Sequence, residues 1–148
     1  MGLPSLPNRT TLRNSLVTNL KAISWVVAGP VTVTPLADIA GSARVFGFWK
    51  KDPGGISPFA CVDSGNIQYS TSGSTGLLTP MTMVIGFWAR RESTDSHDVL
   101  LDNLILAFTE QVLRVKYNAR FSSPSVSDFE ILDGIPYKFE LHFVEFEM

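Results

Sequence analysis

Apolar and polar positions along the chain change period several times, and each change marks an element. Leu12, Leu16, Leu20 and Ile23 recur at spacings of four, four and three, which puts them on one helical face, while Arg13, Asn14, Asn19 and Lys21 lie elsewhere. The helix is predicted to start after "PSLPNRTT", where prolines and a cluster of capping residues precede it, and to stop by Gly29 and Pro30. "PVTVTP" alternates valine and threonine between prolines, as a short edge strand or an extended connector would. "LADIAGSA" carries no assignable pattern.

From Arg44 the period becomes that of strands. "RVFGFWK", the turn-rich "KDPGGISP" and "FACVDS" predict a hairpin with a long loop. In "LLTPMTMVIGFWAR", Met81, Met83, Ile85 and Phe87 point to one side and Thr82, Val84, Gly86 and Trp88 to the other, which makes this the central-strand candidate. A second helix is expected next, capped by Asp95, with a core stripe of Leu101, Leu104, Ile105, Phe108, Val112 and Val115. The chain closes on a hairpin turning at Asp133-Gly134, in which Tyr137, Phe139, Leu141 and Phe143 alternate with Lys138, Glu140 and His142. The order predicts one α+β domain over residues 1–148, a mostly antiparallel sheet of about four to six strands with two helices packed on one face.

Composition narrows the classes. The chain has 148 residues, 45% of them apolar, enough for one domain with its own core. Its net charge of −2 offers no global field for nucleic acid or an anionic membrane, and no apolar run is long enough to span a bilayer. A soluble, cytosolic protein is expected. The single cysteine, Cys61, lies in an apolar run and reads as a packing thiol.

Candidate chemistry is thin. Basic pairs follow aromatic residues twice, as Trp49 with Lys50 and Lys51, and Trp88 with Arg90 and Arg91. Such sets can bind nucleic acid, yet with an acidic balance they read as strand ends reaching water, so no specific nucleic-acid binding is expected. The polar stretch Ser70, Thr71, Ser72, Gly73, Ser74, Thr75, Gly76 lacks the lysine and following helix of a P-loop, and reads as a flexible connector and candidate contact loop. His97 and His142 have no partner spacing of a hydrolase or metal site and read as exposed or helix-end residues. Asp95, Asp98 and Asp102 match no Ca²⁺ loop. No catalytic residue, cofactor or metal is expected.

Two surpluses of apolar side chains point instead to contact surfaces. Val99, Leu106 and Leu113 repeat every seven residues about 120° to 160° from the core stripe of the second helix, as a seam against another surface would. That surface is a neighbouring subunit, or else the first helix or an unassigned segment. Val144, Phe146 and Met148 become apolar on the side that had carried Lys138, Glu140 and His142, which a partner subunit would cover.

The order "TLRNSLVTNLKAI", "VFGFWKK…PFACVDS", "TMVIGFWARRESTDSHDVLLDNLILAFTEQVL" and "YKFELHFVEFE" resembles the tail terminator or tail completion proteins of long-tailed bacteriophages. Its most telling part is a strand ending in an aromatic and a short polar break that leads directly into an amphipathic helix. The resemblance implies a non-enzymatic structural virion protein at the head-proximal end of the tail, assembled in the host cytoplasm. It would form a homo-oligomeric ring, typically a hexamer, that caps the tail tube, stops its polymerisation and docks the head connector. On that reading Lys50, Lys51, Asp52, Arg90 and Arg91 set which partner docks, delivered to one rim by neighbouring strands, and Val99, Leu106, Leu113, Val144 and Phe146 are interface candidates. A head-completion or connector protein of the neck is the alternative within this class. A small α+β hydrolase or ligand-binding domain is the alternative outside it.

Overall fold

The computed structural model describes residues 9–67, 70–71, 77–78, 81–91, 96–122 and 124–146. Helix α1 spans Arg9–Lys21 and buries Leu12, Leu16 and Leu20, the predicted stripe. It closes earlier than its apolar spacing allows. Ala22 and Ile23 donate to Asn19 O and Leu20 O in a tightened last turn, and the β-branched residues that follow pair as strands β1 (Trp25–Val27) and β2 (Val31–Val33). Gly29, at a φ of 102°, makes the turn between them.

The main sheet has six strands. Strand β3 (Val45–Phe46) lies beside β4 (Phe59–Ile67), then come β7 (Met81–Arg90) and β10 (Ile135–Phe146). Strands β8 (Ala119–Phe121) and β9 (Val126–Leu132) pair end to end along the far side of β10. Ser70–Thr71 (β5) and Leu77–Leu78 (β6) form a separate two-stranded ladder. The predicted central strand is therefore central, flanked by β4 and β10 in antiparallel register. The fold is α+β, with α1 and a second helix, α2 (Ser96–Ala107), packed on one face of the sheet.

The pairing of β3 corrects the expected hairpin. Val45 and Phe46 lie parallel to Ala60 and Cys61. A parallel neighbour needs a crossover, and the intervening residues 47–58 supply one by returning across the face of the sheet away from the helices. Hydrogen bonds strap this segment down, among them Tyr137 Oη to Ile56 O (2.9 Å), Arg90 N to Ser57 Oγ (2.9 Å), Gly54 N to Asp133 Oδ2 (3.0 Å) and Arg44 Nη1 to Ser57 O (2.9 Å).

Both sheet faces are consequently filled by the chain itself. The helix face carries Met81, Met83, Ile85, Phe87 and Ala89 of β7 with Val144 and Phe146 of β10, under Leu16, Leu20, Leu101, Leu104 and Phe108. The opposite face holds Phe59, Cys61, Trp88 and Tyr137, ringed by Phe46, Ile56, Leu132, Ile135, Phe139 and Leu141. Cys61 is wholly buried there, as expected of a packing thiol, and burial pushes its thiol up to about 12.

The second helix departs from ideal geometry where it matters. After Ala107 it continues as a π-helix over Phe108–Leu113, with Arg114 N–H donating five residues back to Thr109 O, and closes in an α-helical turn at Arg114–Lys116. A π segment turns by about 82° per residue rather than about 100°, so six residues lag the α-helical phase by roughly 110°. Leu113, predicted about 120° from the core stripe, is thereby rotated into the core and is 4% exposed. Val115, predicted inside it, is rotated out and is 70% exposed.

Candidate functional site

The structure separates the residues that sequence grouped. Val99 and Leu106 are exposed, Leu106 by 61%, as the second stripe of α2 requires. Leu113 leaves that stripe for the reason just given. Val144 and Phe146 also leave the interface set: both are buried beneath the chain's own helices, with the Phe146 ring 5.2 Å from Tyr117 in an edge contact. Tyr117 is anchored in turn by Ser15 Oγ and by Asn19 Nδ2 at 2.9 Å. The even-numbered side of β10, taken as polar from Lys138, Glu140 and His142, is the helix-covered side.

The two "GFW" stretches do not form one charged rim. Strand β4 separates β3 from β7, and β3 runs antiparallel to β7 because it is parallel to β4. What the stretches share is aromatic packing. Trp49 meets Trp88 edge to face at 5.2 Å, so the repeated motif converges on the second core. Lys50 pairs with Asp52 at 3.4 Å and lies over the Phe46 ring at 5.3 Å. Arg90 reaches Gly55 O, and Arg91 stacks 4.7 Å over Phe129 on the opposite edge of the sheet. Lys51 and Asp52 are exposed. These charges hold the crossover and the β9 edge as well as meeting water.

In the polar loop, Ser70 and Thr71 pair with Leu78 and Leu77, so its start is a strand rather than a connector. Ser72, Gly73, Ser74, Thr75 and Gly76 lie outside the described residues, as do Asp95 and Met148.

The histidines correct a second expectation, since both are buried. They belong to a polar seam between α2 and β10. Lys138 Nζ bonds Asp98 Oδ1, which also faces His97 Nε2 at 3.6 Å, and the Lys138 hydrogen bond holds the Asp98 carboxyl below its usual range. Burial, then the neighbouring Asp102 carboxylate, raises Glu140. His142 lies between the rings of Phe87 (6.0 Å) and Phe121 (5.9 Å), with Nε2 3.6 Å from Glu140 Oε1, and burial lowers its pKa below 6.5. The seam, among the described residues, offers no nucleophile beside a base. Among the described residues no group of three His, Cys, Asp or Glu could hold a metal ion.

A pH dependence follows from that burial. Because the folded pKa of His142 lies below the unfolded one, the unfolded chain takes up the proton first, and stability falls as pH drops through about 6.5 towards the folded value. Below the folded value this group adds no further loss. The slope it can contribute is at most about 1.4 kcal/mol per pH unit. His142→Gln should flatten the stability profile on the acid side of pH 6.5 in urea titrations, and an unchanged profile would show that the imidazole is not desolvated.

Sequence reasoning missed the most conspicuous surface. Between Lys21 and Asp38 no residue is charged, and those two close the segment as an ion pair of 3.0 Å. The segment is the β1–β2 hairpin, which pairs with no other strand among the described residues and exposes Val26, Val27 and Val31. Gln111 clamps its base, donating Nε2 to Ser24 O (2.7 Å) and accepting Ser24 N–H (3.1 Å). Between hairpin and helix runs an apolar groove of about 390 Å³, lined by Trp25, Val26, Leu106 and Ala107, with Asn103, Glu110 and Gln111 among its polar walls. The uninterrupted uncharged run was the available signal. The exposed stripe of α2 therefore borders a hairpin whose second strand lies in "PVTVTP", expected as a short edge strand or connector, and whose first strand lies where the helix was expected to continue.

Among the described residues no helix is long and apolar enough to cross a membrane. No protein-family model matches the chain, and none of the curated proteins matches it.

Proposed function

We propose that the chain is a non-enzymatic ring subunit of the tail terminator type, which caps a phage tail tube and presents a surface to the head connector. The observation that carries this reading is the apolar surface of hairpin β1–β2, Leu106 and Val99, left open by a domain that fills both faces of its own sheet. Monomeric proteins blunt such surfaces, so a large exposed apolar patch marks a contact with another chain. The resemblance in layout supplies the kind of assembly. Strand β7 leads through a short segment into α2, which lies back over β7 and β10, as the order of apolar and polar stretches implied.

The mechanism is steric. A closed ring of identical subunits offers one rim to the last tube ring and the other to the head, and the exposed charges Lys51 and Asp52 tune docking more than folding. Electron microscopy of the purified protein, alone and mixed with uncapped tails, tests it. Annular particles and tails capped at one end are expected. Binding to filled heads but not tails would move the protein to the neck as a head-completion protein, and absence of both would defeat the assembly reading.

A further inference from the structure

Resting on the ring reading, we infer that neighbouring copies of this chain join by pairing the uncharged outer edge of hairpin strand β2 with the outer edge of β9. Two strands offer these edges. Among the described residues strand β2 pairs only with β1, whose own base is held by Gln111 through Ser24, so Val31–Val33 is left facing outward. Strand β9, among the described residues, pairs only with β10. Each edge carries exposed apolar side chains, Val31 at 51% on one and Ile131 at 74% with Phe129 and Val126 on the other.

Charge decides which edges can meet. Two copies of β9 paired antiparallel and centred on Phe129 would set Asp128 against Glu130 of the other copy on both sides of the centre. Sliding by one residue pair sets Asp128 against Asp128, or Glu130 against Glu130. Like charges directly opposite destabilise a strand pair, so β9 is guarded against itself. The same acids do not oppose Val31, Thr32 and Val33, which carry no charge. The Pro30 and Pro35 rings limit the contact to the short stretch between them, because proline donates no ladder hydrogen bond.

A contact between two different patches of the same chain is heterologous, and it closes a ring when the rotation between neighbours divides a full turn. The β1–β2 hairpin, which acts as an arm, and the β9 edge occupy separate elements, so one subunit can use both at once. Backbone pairing gives register, and the exposed Val31, Ile131 and Phe129 supply apolar burial on it.

Val31→Glu and Ile131→Glu test the pairing on the full chain by sedimentation velocity, with circular dichroism to confirm folding. Both residues are exposed, and the milder Val31→Thr and Ile131→Thr serve if either acidic variant fails to fold; each should weaken association roughly ten- to a hundred-fold. Each acidic variant alone should be monomeric. Mixed, they should form a two-chain species and stop, because one copy retains a sound arm and the other a sound edge. Assembly of Ile131→Glu like the wild type would mean arm-to-arm contact, assembly of Val31→Glu like the wild type would mean β9-to-β9 contact, and a mixture that stays monomeric would exclude the pair; each overturns the inference. Rings that form unaffected by both variants overturn this contact alone, whereas a wild-type chain that stays monomeric at every concentration and on tails overturns the ring reading with it.

Discussion

Leu113→Asp should unfold the domain, whereas Leu106→Asp, seven residues earlier in the same helix, should leave it folded. An unbroken α-helix would put the two side chains within about 20° of each other, so they should respond alike. The π segment Phe108–Leu113 separates them. Leu113 is packed in the helix-face core with Val112 and Phe108, and an aspartate there would be an unpaired carboxylate without water. The expected loss is several kcal/mol, a large share of the roughly 5 to 15 kcal/mol that holds a domain of this kind together. Leu106 faces the groove beside Asn103 and Glu110, where a carboxylate keeps its hydration. Its melting temperature should stay within a few degrees of the wild type. Thermal melts followed by circular dichroism compare the two variants directly. Equal melting temperatures would mean that the helix keeps α phase through residue 113.

This contrast also shows where the sequence was legible. Strand β7, helix α1 and the first two turns of α2 obey one period each, so counting apolar positions located their buried sides. The π segment does not announce itself in apolar spacing, because Leu113 and Val115 are equally apolar and only a change of phase exchanges them. A local hint exists in Thr109, whose Oγ1 donates to Ile105 O at 2.8 Å, the back-bonding that perturbs a helical ladder. Strand β10 failed for a different reason. With an apolar layer on each face of the sheet, alternation still marks a strand but no longer says which side faces the helices. Lys138 and Glu140 read as solvent-facing, although Lys138 reaches Asp98 of α2 from inside the layer. The exposed hairpin was legible in part: the alternation of "PVTVTP" allowed a short edge strand, but Trp25–Val27 was taken into the first helix, and a three-residue strand gives too few positions to establish a period. The parallel placement of β3 depends on a crossover through residues 47–58, which the turn residues of "KDPGGISP" announce only as a turn.

The repeated "GFW" has its clearest physical meaning in β7, and a pair of substitutions should expose it. Trp88 is buried on the second face, stacked on Phe59 at 5.1 Å and on Phe139 at 5.8 Å, with Nε1 donating to Glu130 Oε1 at 3.2 Å. Trp88→Ala should destabilise the domain by about 3 to 5 kcal/mol, since it empties the centre of the smaller core and leaves Glu130 without that donor. Gly86 sits two residues earlier on the same face, and the indole lies back over it. A Cβ at residue 86 would collide with the Trp88 ring and come within 2.9 Å of Leu141 Cδ2. Gly86→Ala should therefore cost about 1 to 3 kcal/mol by overpacking, at a strand position where alanine would otherwise be tolerated. The double variant decides the mechanism. If glycine is needed because tryptophan is present, Gly86→Ala on the Trp88→Ala background should lose most of its penalty, giving a coupling of roughly 1 to 2 kcal/mol in a urea double-mutant cycle. Additive effects would show instead that residue 86 is constrained by Leu141 or by the backbone, and that the spacing of glycine and tryptophan in the motif has no joint role.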